Sequence, residues 1–157
     1  MGERYLKSIR LLAECMQGFE RLSSEQARRS GLTHPQFDII ATLGNTSGMS
    51  YKELGEKTLI TKGTLTGVIE RLEQKGLVER QRNDCDKRSF FVRLTAEGEA
   101  TFNAAFPKMM EMGKNLFTDY REEDLAALEK HLSKLKTVIM ASQPECPSTP
   151  DPTKENI

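Results

Sequence analysis

The chain has 157 residues, no net charge at neutral pH, 29% charged residues and 6% aromatic residues. This length fits one domain of ordinary size, and this composition favours amphipathic helices with solvated faces over a β-sandwich. No apolar run approaches the roughly 20 residues that span a bilayer, and the first residues lack the apolar segment of a signal peptide. We therefore expect a cytoplasmic protein rather than a membrane or secreted one.

The cysteines and histidines exclude several classes of site. Cys15, Cys85 and Cys146 are widely spaced and odd in number, so they predict reduced thiols rather than a disulfide framework or a zinc site. His34 and His131 are the only histidines and do not form an HExxH motif. The chain also lacks GxSxG, P-loop and dinucleotide-binding motifs. The sequence thus predicts no enzyme, no cofactor and no metal site.

Although the net charge is zero, basic and acidic residues are unevenly distributed along the chain. Residues 50–95 carry ten basic and seven acidic side chains, whereas residues 96–157 carry seven basic and eleven acidic ones. The positive excess of the internal block favours nucleic-acid binding there, although an excess of this size is also common on solvated surfaces.

The first half of the chain predicts four helices. Residues 4–29 form a long helix with one apolar stripe, and Gly31 ends it. Capping-box patterns begin two further helices at Thr33 and Ser50, the second lasting about one and a half turns before a connection at 57–60. Thr61 then caps a fourth helix that ends at Gly76. The predicted inward residues of the last three helices are Phe37, Ile40, Leu43, Leu54, Leu65, Val68, Ile69 and Leu72.

The second half predicts a hairpin and two more helices. Strands at 77–80 and 90–94 flank a polar stretch, and Thr95 begins a long helix in which Pro107 is expected to produce a kink. Residues 122–140 form the last helix, with apolar residues at near-heptad spacing. The proline-rich tail, 142–157, is expected to be disordered.

The two short helices between residues 50 and 75 have the length and spacing of a helix-turn-helix. If the apolar stripe of the second helix faces inward, Gly63, Thr64, Thr66 and Gly67 face outward. On spacing alone an ordinary helical hairpin is an equally good interpretation.

The basic β-hairpin that follows these helices favours a winged helix, whose tip can place an arginine in the minor groove. Within it, Asp86 is expected to pair with Arg88 and to orient its guanidinium.

Several motifs in this region resemble the MarR-type transcriptional regulators. They are Arg71-Leu72-Glu73-x-x-Gly76-Leu77-Val78-x-Arg80, Asp86-x-Arg88-Ser89, Val92-x-Leu94-Thr95-x-x-Gly98 and, upstream, Gly31-Leu32-Thr33-x-x-Gln36-Phe37. The resemblance extends from about residue 4 to residue 140. It implies a mainly α fold, with a winged helix-turn-helix DNA-binding domain at 31–95 and dimerisation helices at 4–30 and 96–140.

The resemblance also implies a homodimer that binds pseudopalindromic double-stranded DNA. Lys62, Thr64 and Thr66 would contact base edges, Arg71 a phosphate, and Arg88 the minor groove. The full set of predicted DNA-binding residues is Ser50, Tyr51, Lys62, Gly63, Thr64, Thr66, Gly67, Arg71, Arg82, Asp86, Lys87 and Arg88.

Many members of this family are repressors relieved by a small aromatic or lipophilic effector. The candidate lining residues here are Cys15, Met16, Phe19, His34, Phe37 and Met109, each of which also fits a plain core or capping role. A peroxide-sensing thiol at Cys15 is an alternative, but its apolar neighbours and Glu14 favour a buried, inert thiol. A helical protein-interaction module without DNA binding is the remaining alternative.

Overall fold

The computed structural model describes residues 3–58, 60–83 and 86–142, giving the backbone but not the side chains of residue 83 and residues 86–89. Six helices and three short strands make up this part of the chain, so the expected mainly α fold with a small wing is confirmed. In chain order they are α1 (Arg4–Arg29), α2 (His34–Leu43), β1 (Met49–Ser50), α3 (Tyr51–Thr58), α4 (Lys62–Gln74), β2 (Val78–Asn83), β3 (Asp86–Leu94), α5 (Ala96–Leu116) and α6 (Glu122–Ala141).

The junction between α1 and α2 forms as the sequence predicts. Gly31 adopts φ 72°, and the Leu32 amide donates to the Ala27 carbonyl at 3.0 Å, which closes the end of α1. The Gln36 amide donates to the Thr33 hydroxyl at 3.4 Å, while the Gln36 side chain accepts from the Thr33 amide at 3.1 Å. This reciprocal capping box begins α2 and confirms the prediction.

The α3 helix is longer than predicted. It continues to Thr58, so the expected connection beginning at Lys57 was wrong, and Leu59 lies outside the described residues. The Thr58 hydroxyl donates to the Leu54 carbonyl at 2.6 Å, a bond within the last turn that the residue types alone did not indicate. Thr61 does occupy the N-cap of α4, but its side chain makes no capping hydrogen bond. Its hydroxyl instead donates to the Thr64 hydroxyl at 3.2 Å.

The sheet has three antiparallel strands in the order β1-β3-β2. The sequence did not predict a strand at residues 49–50, because two residues are too few to show an alternation of polar and apolar side chains. In the structure, Met49 pairs with Val92, which is distant in the chain. Strand β2 begins at Val78 rather than at residue 77 and continues to Asn83, and β3 begins at Asp86. The polar stretch expected between the strands, 81–89, is therefore shorter than predicted, since Arg82 still pairs with Phe90. The residues 84–85 between the strands lie outside the described residues.

The hydrophobic core lies among α2, α3, α4 and the inner face of the sheet. All eight inward residues predicted for α2–α4 are buried, which confirms the phase of these three helices. Val78, Val92 and, from α5, Phe102 and Ala105 belong to the same cluster. A Cβ built on Gly44 would lie 2.2 Å from the Phe102 ring, so the end of α2 packs directly against α5.

The chain divides into two compact units, Met1–Asn115 and Leu116–Ile157. In the first unit, α1 leaves most of its apolar stripe exposed; Ile9 is 61% and Met16 62% accessible. In the second unit, α6 has no buried residue, and Leu132, Leu135 and Ile139 are exposed. No helix in the described part is both long and apolar enough to cross a membrane. The tail predicted to be disordered lies, from residue 143 onward, outside the described residues.

Candidate nucleic-acid interface

The α4 helix presents two different faces. Leu65, Val68, Ile69 and Leu72 are buried against the core. The opposite face carries predicted DNA-binding residues that are small, hydroxylated or basic: Lys62, Gly63, Thr64, Thr66 and Arg71 are exposed and Gly67 is half-buried. The exposed acidic residue Glu70 lies on this face as well. The structure thus brings six of the predicted DNA-binding residues together on one accessible helix surface.

Neither glycine of this surface is required by the packing of the chain. A Cβ built on Gly63 or Gly67 would meet no atom within 4 Å, and neither residue adopts a positive φ. Glycine inside a helix nevertheless costs about 1 kcal/mol relative to alanine. The two residues therefore destabilise α4, and they leave its outer face without side chains at these two positions.

The end of α4 is held by neighbouring elements. Gly76 adopts φ 72° and the Leu77 amide donates to the Leu72 carbonyl at 3.0 Å, which forms a Schellman cap. The Lys75 ammonium donates to the Gly31 carbonyl at 2.8 Å, and the Thr95 hydroxyl donates to the Gly76 carbonyl at 2.6 Å. These bonds attach the end of α4 to the α1–α2 junction and to the start of α5.

The basic residues of the hairpin fall into different environments. Arg80 and Arg93 form ion pairs, the first with glutamates of α4 and the second with Glu79 on the neighbouring strand. Arg82 is exposed. The side chains of Asp86, Lys87 and Arg88 lie outside the described residues, so the Asp86–Arg88 pair stays a prediction.

The start of α3 differs in part from what was expected. The Ser50 hydroxyl accepts from the Glu53 amide at 3.2 Å and the Glu53 carboxylate accepts from the Ser50 amide at 2.8 Å, so the predicted capping box is confirmed. These bonds hold the pKa of Glu53 below its usual value. The Tyr51 hydroxyl, by contrast, is buried. The Tyr51 ring packs against Phe90, with the ring centres 5.7 Å apart, and the phosphate contact expected of Tyr51 stays a prediction.

The six candidate effector residues lie in contrasting environments. Cys15, Met16 and Phe19 are exposed on α1, so the expectation of a buried thiol at Cys15 was wrong for the isolated chain. Phe37 is a core residue, and Met109 packs partly buried against the same core. His34 is half-buried, and its buried Nδ1 has no hydrogen-bond partner.

Two surface grooves are formed by other residues. One is lined by Gln17, Glu20, Arg21, Ser24, Glu25 and Arg28 of α1, and one by Asp119, Tyr120, Asp124, Ala127, Leu128 and His131. Neither contains a predicted effector residue. Among the described residues, no group of three or more His, Cys, Asp or Glu side chains could hold a metal ion.

Comparison with known proteins connects this architecture with a family. The model of the MarR family matches residues 32–90, from the end of α1 into the wing. The uncharacterised HTH-type transcriptional regulator YsmB of Bacillus subtilis is 30% identical over 83% of this chain and 87% of its own length. The chain belongs to the MarR family. It is a transcriptional regulator by this membership, and the resemblance drawn from the motifs is confirmed.

Two further MarR-family matches have informative names. The homoprotocatechuate degradative operon repressor of Escherichia coli is 28% identical over 76% of this chain and 81% of its own length. Among solved structures, NadR in complex with 4-hydroxyphenylacetate matches with a TM-score of 0.67 and 26% identity. That match covers 79% of this chain and 88% of NadR.

Proposed function

We propose that two copies of this chain pair and bind a pseudopalindromic DNA operator, acting as a repressor that a small aromatic or lipophilic effector releases. The observation that carries DNA binding is the outer face of α4, where Gly63 and Gly67 have no internal packing role. Close approach of the helix backbone to DNA explains two glycines that otherwise only destabilise the helix. On this proposal the protein works in the cytoplasm and has no catalytic activity.

The proposed contacts follow from exposure and chemistry. Lys62, Thr64 and Thr66, exposed at the start of α4, would contact base edges in the major groove. Exposed Arg71 would bind a phosphate, as would the start of α3 at Ser50. In the wing, Arg82, Lys87 and Arg88 would contact the backbone and the minor groove, with Asp86 orienting Arg88.

The proposed dimer rests on apolar surface that the single chain leaves uncovered. The stripe on α1 includes Leu6, Ile9, Met16 and Phe19, and α6 exposes its own apolar residues. Exposed stripes of this extent on a monomer mark interaction surfaces. We therefore assign dimerisation to 4–30 and 96–140 and DNA binding to 31–95. Two-fold symmetry would set the two α4 helices about 34 Å apart, which is one turn of DNA.

The proposed effector site adjoins this dimer surface. The ligand of the NadR complex, 4-hydroxyphenylacetate, is a small aromatic acid. In a paired chain, Cys15, Met16 and Phe19 would become walls of a cavity because they already form one exposed stripe. An effector there needs only to bind better to the arrangement that does not fit DNA. The exposure of Cys15 also supports the peroxide-sensing alternative, which treatment with peroxide tests directly.

The decisive experiment selects bound fragments from sheared DNA of the source genome and titrates the recovered site at two salt concentrations. We expect an inverted repeat whose affinity falls steeply with salt, because phosphate contacts release counterions. Arg88→Ala should weaken binding strongly and Asp86→Ala less. Arg28→Ala, first shown by sedimentation to pair as the wild type does, serves as the control, since Arg28 is on α1 and forms an ion pair with Glu25. No enriched fragment from a folded dimer, either reduced or peroxide-treated, would favour the protein-interaction module instead.

A further inference from the structure

The side chain of Arg80, in strand β2 of the wing, lies against α4. Arg80 pairs across the sheet with Val92, which is fully buried, and opposite residues of an antiparallel pair share a face. Its side chain is 23% exposed. Glu79 and Arg93, which pair with each other, lie on the other face of the ribbon.

The guanidinium of Arg80 contacts two elements, α4 and β3. Its Nε and Nη2 lie 2.9 and 2.7 Å from Oε2 of Glu73, and its Nη1 lies 3.7 Å from Oε1 of Glu70, both on α4. Its central carbon lies 5.2 Å from the centre of the Phe90 ring of β3. That ring in turn packs against Tyr51 of α3, with the ring centres 5.7 Å apart.

These contacts leave Arg80 poorly suited to bind DNA. Two guanidinium nitrogens lie beside the Glu73 carboxylate, and the central carbon of Arg80 lies over the Phe90 ring. Hydrogen bonding to Glu73, supported by the nearby Tyr51 hydroxyl, raises the pKa of Arg80 above its ordinary value, so the cation is stabilised where it lies. Release toward a phosphate would leave Glu73 without this partner and uncover the partly buried ring.

We propose that Arg80 is a positioning residue that fixes the β2–β3 ribbon against α4, so that the helix and the wing reach adjacent grooves together. This inference rests on the proposed DNA-binding function and adds a residue to it. An arginine suits the role because its planar fork binds a carboxylate while its face stacks on an aromatic ring, which lysine cannot do as well. The wing then meets DNA in an orientation that is set before binding.

The test compares Arg80→Gln and Glu73→Gln in two measurements. Hydrogen exchange of the β2 and β3 amides, without DNA, should accelerate about tenfold in both variants, because a charge-assisted contact between two elements is lost. Operator affinity should fall in both variants, also by about tenfold. The effect of Glu73→Gln is diagnostic. If Arg80 instead bound a phosphate, removing its carboxylate partner would free it and strengthen DNA binding.

Arg93→Gln is the matched control, since it breaks an arginine–glutamate pair that lies wholly within the ribbon. It should change exchange of the wing amides much less than Arg80→Gln does. Unchanged wing exchange in Arg80→Gln, or tighter operator binding by Glu73→Gln, overturns the proposal. If Arg80→Gln does not fold, Glu73→Gln alone still distinguishes a positioning role of Arg80 from a phosphate contact. If the wild-type protein selects no DNA, the proposed function fails, while the exchange measurement still decides whether Arg80 anchors the wing.

Discussion

The Lys75 ammonium lies 2.8 Å from the carbonyl oxygen of Gly31 and donates a hydrogen bond to it. Gly31 follows Ser30, the C-cap of α1, and Lys75 is the C-cap of α4. One contact therefore connects the helix proposed to form the dimer with the helix proposed to read DNA.

Replacing Lys75 with glutamine should lower the free energy of unfolding by about 0.5–1 kcal/mol, the usual net value of one such hydrogen bond. Urea denaturation measures the change. Lys130→Gln on α6 is the control, because Lys130 is an exposed lysine of the other unit. Equal effects of the two substitutions would show that the Lys75–Gly31 contact contributes nothing in solution.

Alanine at Gly63 or Gly67 should increase the stability of the protein and decrease its affinity for DNA. Each substitution should stabilise α4 by up to about 1 kcal/mol, because the new methyl group meets no atom and alanine favours the helix. The same methyl group should hinder approach to DNA and weaken operator binding. Thermal unfolding and a gel-shift titration measure the two effects.

Gly113→Ala is the control for this pair, since a Cβ there also meets nothing within 4 Å but lies on α5. A Gly113→Ala protein that pairs as the wild type does by sedimentation should be more stable without the loss of affinity expected for the α4 variants. Gly63 and Gly67 variants that are more stable and bind DNA as tightly as the wild type would refute the close approach proposed for α4.

Gly98→Ala should destabilise the protein by about 1–3 kcal/mol through overpacking. A Cβ at this position would lie 2.0 Å from the Leu77 carbonyl oxygen, and that oxygen also accepts from the Thr95 amide at 3.1 Å. Backbone must therefore shift where α5 begins beside the wing. Comparison of melting temperatures with Gly113→Ala, in the same helix, separates this clash from the general effect of alanine. Equal melting temperatures would contradict the packing of this junction.

Asp38→Asn should stabilise the protein at neutral pH and have progressively less effect as the pH falls. Burial raises the pKa of Asp38 above its ordinary 3.8, and the neighbouring His34 only partly opposes this. Because the pKa of Asp38 is raised in the folded state, its stabilising contribution is fully present below the pKa of the unfolded state. That contribution is lost as the pH rises through the pKa of the folded state. Denaturant midpoints at pH 4 and pH 7 test this, with the exposed Asp119→Asn as control. A wild-type chain as stable as Asp38→Asn at pH 7 would argue against the burial of this carboxylate.

Local signals in the sequence were sufficient to predict where the helices begin and which faces of α2–α4 are buried. The capping boxes at Thr33 and Ser50 and the stripe that begins at Leu65 involve residues only three or four apart. Such interactions form within one helix turn, and their pattern is therefore readable before the fold is known. The family motifs extended this to the order of the elements and to the wing.

Tertiary structure alone decided the features that depend on distant partners. Strand β1 exists because Met49 lies beside Val92, and two residues carry no pattern of their own. The buried hydroxyl of Tyr51 and the inward guanidinium of Arg80 follow from Phe90 and the glutamates of α4, which belong to other elements. Exposure of Cys15 likewise depends on which surface the chain leaves uncovered. A residue type fixes what a side chain can bind, whereas the fold decides which partner comes within its reach.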